Sequence, residues 1–435
     1  IWDKYESDSL RMLREYPKRV AEECGIAAVK LKLASDRLAK HKKSENTMVE
    51  LIGLFNGRGF SQGLIRSVIN KWGSRAPVLI RRDPYLLMTH RFQSAGFARC
   101  DKMYVDFGLD PSKLKRQTIC LWNVLAMRGT GDTWHPYRDA CELLRQRIGG
   151  ADAKPKEATR LGKRAKWIET RRDVDGNGWL AVGKSARNER EIAERIFRMT
   201  QCEANWPEPS GSLSPHQEQQ VKLATAGAVG ILSGTPGTGK TYSAASLIRS
   251  IINKYGHGAI AVLAPTGKAA VRATESLSKA GIVGLTAMTI HRSLVPSRGG
   301  FGSGEWGFHH NERDPLPHKF IIVDETSMVD TDLMASLLRA LGRGTNLLLI
   351  GDPYQLPPVG HGAPFRDLIA SNIPHGHLTE IQRNSGLIVK GCAAIREERR
   401  VDTCHRFDDE GNNLRIVPTS SPAKTMEIIR AVFEA

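Results

Sequence analysis

Gly234-Thr235-Pro236-Gly237-Thr238-Gly239-Lys240-Thr241 matches the pattern G-x-x-x-x-G-K-[ST] at every fixed position. Residues 228–232 before it predict a short buried strand, and residues 242–253 after it predict a helix, because apolar residues recur three and four apart. A glycine-rich loop in this setting points backbone N–H groups at phosphates. The segment therefore predicts a P-loop in which Lys240 reaches the phosphates and the Thr241 hydroxyl ligates magnesium. The alternative is a glycine-rich turn that matches by chance.

The composition is that of a globular chain. Its 435 residues, 40% hydrophobic and 25% charged, suit two to four domains. The sequence contains no run of eighteen apolar residues and starts with a polar segment, so we expect a cytoplasmic protein. The first residue is not Met, so the sequence is expected to be part of something longer. Seven scattered cysteines without a C-x-x-C pair predict neither disulfides nor a zinc site, and Cys404-His405 is at most a metal half-site.

The net charge of +17 is unevenly distributed. Residues 1–200 contain 40 Lys and Arg against 24 Asp and Glu, a balance of +16, whereas the remaining residues contain 23 against 22. A solvated basic face is the usual explanation of such a bias. Beside a P-loop, an excess confined to one half favours a polyanionic partner, which means nucleic acid.

The pattern of residues 1–110 predicts short helices separated by glycine turns. The helix after the first such turn is expected to run through Leu38, and later helices are expected to end near Trp72 and Phe107. Three segments resemble helix-hairpin-helix units, in which a glycine hairpin brings backbone N–H groups close to a DNA phosphate. The match is loose, because Ala27 and Ser94 stand where glycines are usual. Plain helical packing is the alternative.

Residues 111–205 predict a second module. Residues 114–127 and 139–148 have the periodicity of amphipathic helices, and residues 151–164 are basic and predict a loop or linker. In residues 167–182, apolar and polar residues alternate around Asp175-Gly176-Asn177-Gly178, a sequence typical of a hairpin turn. Helices followed by a hairpin suggest a winged-helix-like arrangement that leads, through a helix at 188–199, to a Pro-, Gly- and Ser-rich linker at 205–212.

From Leu213 strands alternate with helices, which indicates an α/β domain with a parallel sheet of the RecA-like type. The expected domains are 1–110, 111–205, 206–370 with an insertion at 296–317, and 371–435 as the start of a second RecA-like domain. Besides the strand before the P-loop, strands are predicted at 259–263, 320–323, 346–350, 377–381 and 414–417.

Nucleotide hydrolysis needs a carboxylate pair at the end of another strand, and Asp324-Glu325 follows the apolar run 320–323. Asp324 is placed to hold magnesium through water, and Glu325 to orient and deprotonate the attacking water. The pair could instead cap the next helix.

Three further segments follow predicted strands. Asp352 and Gln355, after residues 346–350, are placed to sense a γ-phosphate, with a capped Pro-rich turn as the alternative. Pro265, Thr266 and Lys268 open a helix where a nucleic-acid phosphate can bind. Arg383 is a candidate arginine finger, although a lone arginine is more often part of a surface ion pair.

These motifs together resemble those of superfamily 1B DNA helicases of the RecD type, the family that contains the exonuclease V alpha subunit. The resemblance rests on order and spacing of seven segments: LSPHQ (213–217), GTPGTGKT (234–241), APTGKAA (264–270), TIHRSL (289–294), VDETSM (323–328), GDPYQLPPVG (351–360) and LTEIQR (378–383). It is strong over 213–383 and looser upstream.

The resemblance implies ATP and Mg²⁺ as cofactors and assigns roles to the matching positions. Gln217 would bind adenine, Gln355 would link the γ-phosphate to domain movement, and Arg383 would neutralise charge in the transition state. Single-stranded DNA contacts would come from Thr266, Lys268, Thr289 and His291, although His291 could also be a helix-cap histidine. The insertion 296–317 resembles the duplex-splitting pin of the family, in which Trp306 and Phe308 either stack on a base or pack within the hairpin.

The sequence ends before the motifs V and VI of the family, so the nucleotide cleft of the chain as given is expected to be incomplete and its turnover low. The resulting expectation is an ATP- and magnesium-dependent DNA helicase or translocase, 5′ to 3′ by resemblance, that also binds duplex or junction DNA. The alternative is a non-enzymatic, ATP-binding DNA-docking subunit of a larger complex. An RNA helicase is less favoured, and no nuclease cluster is found in the sequence.

Overall fold

The structure is a computed structural model that describes residues 1–5, 8–90, 92–127, 131–148, 152–298, 306–380, 387–403, 411 and 413–434. The chain divides into two compact units, the first formed by residues 1–124, 138–164 and 296–307, and the second by residues 125–137, 165–295 and 308–435. Residues of the module expected at 111–205 therefore occur in both units, and the division into four domains stays a prediction.

Helices dominate the N-terminal half and alternate with strands in the C-terminal half. The helices are α1 Trp2–Tyr5, α2 Ser9–Glu15, α3 Pro17–Cys24, α4 Ala28–Phe55, α5 Gln62–Trp72, α6 Ala76–Arg82, α7 Tyr85–Thr89, α8 Phe97–Asp106, α9 Leu114–Met127, α10 Tyr137–Ile148, α11 Pro155–Arg164, α12 Gly183–Thr200, α13 Pro215–Ala224, α14 Lys240–Tyr255, α15 Gly267–Lys279, α16 Ile290–Leu294, α17 Thr331–Arg339, α18 Pro364–Ile369, α19 Leu387–Arg396 and α20 Pro422–Glu434. The strands are β1 Trp134–Pro136, β2 Ile168–Arg172, β3 Gly178–Val182, β4 Val229–Gly234, β5 Ile260–Ala264, β6 Met288–Thr289, β7 Pro296–Arg298, β8 Trp306–Phe308, β9 Phe320–Val323, β10 Asn346–Gly351 and β11 His375–Leu378.

The first unit contains the three predicted helix pairs: α3 with α4, α4 with α5, and α7 with α8. Ser94, which stands where a glycine is usual, has a left-handed φ of 65°, the conformation that glycine adopts without strain. Its hydroxyl accepts a hydrogen bond from the backbone N–H of Ser61 at 3.0 Å, so the second and third hairpins meet. The helix expected to run through Leu38 instead continues to Phe55, because no Gly or Pro interrupts it before Gly53.

The expectation of a loop or linker over residues 151–164 is wrong for most of that segment, since α11 spans Pro155–Arg164. Pro155 is the first helical residue, where a missing N–H costs nothing. Lys, Glu, Ala and Arg are all favourable in helices, and the helix buries Ala158 and Thr159. A basic composition therefore did not distinguish a solvated helix from a linker.

The predicted hairpin at 167–182 is confirmed as β2 and β3, which pair antiparallel. β1 pairs antiparallel with β3, so the sheet order is β1-β3-β2. Helix α12 follows β3 directly. Its Glu191 and Asn188 side chains accept hydrogen bonds from the Arg339 guanidinium of α17, which joins the two helices. The segment 203–214, which contains the expected linker, has no helix or strand.

The second unit is built on a six-stranded parallel sheet with the order β11-β4-β10-β9-β5-β6. Every residue of β4, β5, β9 and β10 is buried, as expected for parallel strands with both faces covered. One face packs against residues of α12, α16, α17 and α18. The other packs against α13, α14 and α15. The parallel arrangement brings the carboxyl ends of β4, β9 and β10 to one edge.

Two expectations near the end of the chain are corrected. Strand β11 spans His375–Leu378 rather than 377–381, and it pairs with β4, so the first sheet extends beyond the boundary expected at residue 370. Residues 414–417 are not a strand. Their apolar residues alternate, yet Ile416 and Val417 are exposed, and a strand without a partner leaves its backbone groups unpaired.

Among the described residues, no helix is long and apolar enough to cross a membrane.

Candidate nucleotide and nucleic-acid site

The predicted P-loop connects β4 to α14 at the carboxyl edge of the sheet. Gly237 and Gly239 have φ angles of 87° and 84°, which residues with a Cβ adopt only with strain. Gly239 is the residue before the first helical position, Lys240. The loop therefore turns its backbone N–H groups toward the space above the helix N-terminus, where an anion is stabilised.

Lys240 is folded back onto its own loop. Its Nζ donates to the carbonyl oxygens of Gly234 and Thr235 at 2.7 and 3.2 Å. Burial lowers the pKa of Lys240, and the nearby carboxylates of Asp352, Glu325 and Asp324 act in the opposite direction. A phosphate would supply the negative charge that a partly buried ammonium group needs.

Asp324 lies at the end of β9, and its carboxylate is buried. Its Oδ2 accepts a hydrogen bond from the Thr241 hydroxyl at 3.3 Å. Burial, with a second contribution from the charge of Glu325, raises the pKa of Asp324 to about 6. The structure thus brings together the two side chains that the sequence predicted as magnesium ligands.

Glu325 has a left-handed backbone with φ 53° and ψ 39°, a conformation that costs energy for a residue with a long side chain and is found at active sites. The backbone N–H of Glu325 donates to Asp324 Oδ1 at 2.9 Å. Its Oε2 lies 3.4 Å from Gln355 Nε2, and Ser327 donates to Gln355 Oε1 at 3.3 Å. Gln355 is therefore linked to the carboxylate pair, and Ser327 is a contact that the sequence reasoning missed.

Two predicted nucleotide contacts also have structural roles. Asp352 Oδ1 accepts from the backbone N–H of Tyr354 at 2.9 Å, which is the capped turn given as the alternative. Gln217 forms a capping box with Ser214 at the start of α13, accepting from its backbone N–H at 3.2 Å and donating its own backbone N–H to the Ser214 hydroxyl. Both side chains are held in place by the fold.

The predicted DNA contacts lie on neighbouring strand ends. Thr266 caps α15 by accepting from Ala269 N, and Thr289 caps α16 by accepting from Arg292 N. Thr289 is paired with Ala264 in the register of β5 and β6, so the segment that begins at Pro265 starts beside it. His291 is exposed and is not the capping residue.

The insertion expected at 296–317 contains the paired strands β7 and β8. The ring of Phe308 packs against the core of the second unit and meets His291 edge-on, with centroids 5.8 Å apart. Packing is therefore the role that the structure gives Phe308. The side chain of Trp306 lies outside the described residues, as do Arg383, Cys404 and His405.

A cavity of about 390 Å³ joins the two predicted sites. Its lining includes Thr241, Asp324, Glu325 and Gln355 from one side and Thr266 and Lys268 from the other. Arg272 also lines it. The sequence reasoning did not single out this arginine, although its position four residues after Lys268 places it on the same helical face.

A second contact that was missed lies directly before the P-loop. The hydroxyl of Ser233, at the end of β4, lies 2.6 Å from both His375 Nε2 and His377 Nδ1 of β11. Burial, then the neighbouring His377, lowers the pKa of His375. Only the pairing of β11 with β4 brings these side chains together.

A parallel sheet with a P-loop after one strand and a carboxylate pair after another defines a RecA-like P-loop protein. Two family models match the chain: one described as "AAA domain" over residues 212–414, and one described as "ATP-dependent RecD2 DNA helicase HHH domain" over residues 40–134. These two matches and the curated relatives support a RecD-type superfamily 1 helicase with an N-terminal helix-hairpin-helix region.

Curated relatives agree with these matches. The ATP-dependent RecD2 DNA helicase of Deinococcus radiodurans is 29% identical over 358 residues, which cover 77% of this chain and 47% of that protein. The RecBCD enzyme subunit RecD of Mycolicibacterium smegmatis is 39% identical over 208 residues, covering 44% of this chain and 33% of that protein. The chain thus spans less than half of either relative.

Among solved structures, the Pif1 helicase from Candida albicans is 30% identical to this chain. The match covers 40% of this chain and 41% of that one, with a TM-score of 0.28.

Proposed function

We propose that the protein is an ATP-dependent DNA helicase or translocase that hydrolyses ATP with magnesium. The observation that carries this proposal is the joint placement of Thr241, Asp324, Glu325 and Gln355 around one cavity that also reaches Thr266 and Lys268. When a nucleotide site and a nucleic-acid site share a cavity, a small movement of its lining at one site changes the free energy of binding at the other. The names of the similar proteins, an ATP-dependent DNA helicase and a subunit of the RecBCD enzyme, agree with it.

In the proposed complex, the loop from Gly234 through Thr235, Pro236, Gly237, Thr238 and Gly239 surrounds the phosphates with N–H groups, and Lys240 Nζ exchanges its two carbonyl partners for phosphate oxygens. The hard oxygen donors of Thr241 and Asp324 suit Mg²⁺. The described residues contain no group of three or more His, Cys, Asp or Glu side chains placed to hold a metal ion, so the remaining ligands would be water and phosphate. When bound, Mg²⁺ neutralises charge on the phosphates.

Glu325 is the proposed general base. It takes a proton from water while the water oxygen bonds to the γ-phosphorus and the bond to the β–γ bridging oxygen breaks, which leaves ADP and phosphate. Gln355, hydrogen-bonded to Glu325, responds to the presence of the γ-phosphate, and Asp352 holds the turn that presents it. Arg383 is proposed as the residue that neutralises transition-state charge.

Gln217 is proposed to bind the adenine ring. Its carboxamide oxygen already caps α13, and an amide also carries two N–H donors that suit an acceptor nitrogen of the base. The capping box fixes the direction of the side chain before the nucleotide arrives.

DNA is the proposed partner. Single-stranded DNA would lie across the ends of β5 and β6, where Pro265, Thr266, Lys268, Thr289 and His291 are located. The helix-hairpin-helix region, with the basic residues of the N-terminal half, would hold duplex or junction DNA through its phosphates. A 5′-to-3′ direction and a cytoplasmic location complete the proposal.

The test is DNA-stimulated ATP hydrolysis by the protein. Lys240→Ala is expected to abolish nucleotide-dependent activity, and Glu325→Gln to abolish hydrolysis while nucleotide binding persists, because only the proton acceptor is removed. Arg249→Lys, at an arginine whose guanidinium donates to the carbonyl oxygen of Ala280 and does not line the cavity, is the control. Unchanged turnover in the Glu325→Gln protein would refute the assigned role.

An ATP-binding subunit that docks DNA without turnover is the second candidate. It is favoured by the similarity to the RecBCD enzyme subunit RecD of Mycolicibacterium smegmatis, which is named as a subunit of a larger enzyme. The two candidates differ in one measurement. Wild-type protein that binds ATP and DNA but shows no DNA-stimulated hydrolysis is a docking subunit.

A further inference from the structure

The three-stranded sheet of the second unit places two tryptophans around one arginine. Arg171 of β2 is directly opposite Trp179 of β3, and Trp134 of β1 is opposite Ala181, two residues further along β3. Directly paired residues and residues two apart lie on the same face of a sheet. The Arg171 guanidinium carbon lies 4.4 Å from the ring centroid of Trp134 and 5.8 Å from that of Trp179.

Both indole rings are anchored. Trp134 Nε1 donates to Glu189 Oε2 at 2.8 Å, and Trp179 Nε1 donates to Asp173 Oδ2 at 3.0 Å. Hydrogen bonds from Trp179 and from Asn177 lower the pKa of Asp173, so this acceptor stays charged. Because each indole has a single donor, both rings are fully satisfied and their planes are fixed before any ligand binds, which reduces the entropy cost of binding.

Arg171 differs from the structural arginines of the chain. Arg116 and Arg339 are paired with the carboxylates of Asp101 and Glu191. In the described part of the chain, the exposed Arg171 side chain makes no hydrogen bond or close ion pair, and its charge acts to lower the pKa of Glu189 against the effect of burial. The Arg171 guanidinium thus lies close to both rings while its side chain stays exposed, so a ligand can reach it from solvent.

We propose that Trp134, Arg171 and Trp179 form a stacking platform that binds one base of single-stranded DNA, a site additional to the motif residues and resting on the proposed DNA-binding function. A nucleobase stacks on a guanidinium plane or an aromatic ring. The adjacent phosphate accepts hydrogen bonds from the N–H edge of the same arginine. Nucleic acid offers both groups within one nucleotide, and only a single strand leaves the face of a base open.

The surroundings supply positive charge for the backbone of the strand. Helix α12, which carries Glu189 and packs against β2 and β3, also carries the exposed Arg187 and Arg190. Arg187 is held by a hydrogen bond from its Nη1 to the carbonyl oxygen of Lys166 at 3.1 Å. These exposed arginines add positive charge to the surface of the second unit, which attracts the phosphates of a nucleic acid.

The experiment compares Arg171→Lys with wild type in fluorescence-anisotropy titrations against oligothymidylate and against a strand of equal length without bases. Lysine keeps the charge but loses the planar stacking surface. We expect roughly ten-fold weaker binding of oligothymidylate and unchanged binding of the abasic strand, since one stacked base contributes on this scale. Arg172→Lys, the same change on the opposite face of β2, is the control and is expected to change neither affinity.

Trp179→Leu is a second variant, expected to show the same base-dependent loss, whereas Trp179→Phe retains an aromatic face and most of the affinity. An Arg171→Lys protein that loses affinity equally for both strands, or for neither, overturns the platform and leaves the proposed function intact. Wild-type protein that binds neither strand overturns both.

Discussion

The strongest stability prediction concerns two adjacent cations of α9 in the first unit. Arg116 is buried, with 7% of its side chain exposed, and its Nε and Nη2 donate to the two carboxylate oxygens of Asp101 at 2.9 and 3.0 Å. Lys115, with 46% exposed, pairs with Asp83. The two carboxylates are equally exposed, at 17% each, so the pairs differ in the burial of the cation and in having two hydrogen bonds against one.

Asp101→Asn is expected to lower the free energy of opening this region by about 3–5 kcal/mol, because it leaves the Arg116 charge buried without its counterion. Asp83→Asn is expected to cost about 1 kcal/mol or less, since exposed ion pairs contribute little. Tyr85 also donates its hydroxyl to Asp101. Tyr85→Phe, which removes one neutral donor and no charge, is expected to cost about 1 kcal/mol.

Hydrogen–deuterium exchange of peptides from residues 114–127 is the suitable assay, because a chain with two compact units does not give one global unfolding transition. Asp101→Asn should accelerate exchange there by roughly 10² or more, while peptides of the six-stranded sheet serve as an internal reference. Equal acceleration by Asp101→Asn and Asp83→Asn would refute the reasoning that burial decides the size of the effect.

Three further predictions concern the second unit. Burial raises the pKa of Asp324 from 3.8 to about 6. The stability that comes from the protonated carboxyl group is therefore present below pH 4 and is lost as the pH rises through 6. Without metal and nucleotide, Asp324→Asn should raise the free energy of unfolding by about 3 kcal/mol over wild type at pH 8. In hydrogen–deuterium exchange of peptides from the six-stranded sheet, corrected for the intrinsic pH dependence of exchange, a gain in protection that does not grow with pH contradicts this. Because the pKa of His375 is lowered, its contribution to stability is present above pH 6.5 and is lost at lower pH. His375→Gln should make the stability depend less on pH in this range. Thr266→Ala should cost about 1 kcal/mol through loss of the α15 cap, whereas Thr266→Ser should not, as measured by exchange in that helix.

The amino-acid sequence predicted the elements whose signals are local. Four apolar residues followed by Asp324 and Glu325 could only be a buried strand ending in carboxylates, and the glycines of the P-loop are needed for the φ angles observed. The hairpin at 167–182 was equally clear. Local signals failed where composition was ambiguous, as in α11, and where an apolar alternation at 414–417 lacked a partner strand.

Contacts between distant segments depended on the tertiary structure. The pairing of β11 with β4 brings His375 and His377 to Ser233, and the register of β5 with β6 brings Thr289 to the start of the Pro265 segment. No periodicity in the chain encodes which strands become neighbours, because that choice depends on which pairings bury both faces of the sheet.

The P-loop, the carboxylate pair and the resemblance to RecD-type helicases were thus determined by the sequence alone, since each is a run of consecutive residues with its own backbone requirement. The cavity shared by Asp324 and Lys268, and the arginine between two tryptophans, were decided only by the tertiary structure. Their members are separated in the chain, and they meet because the order and register of the strands place them on one edge or one face.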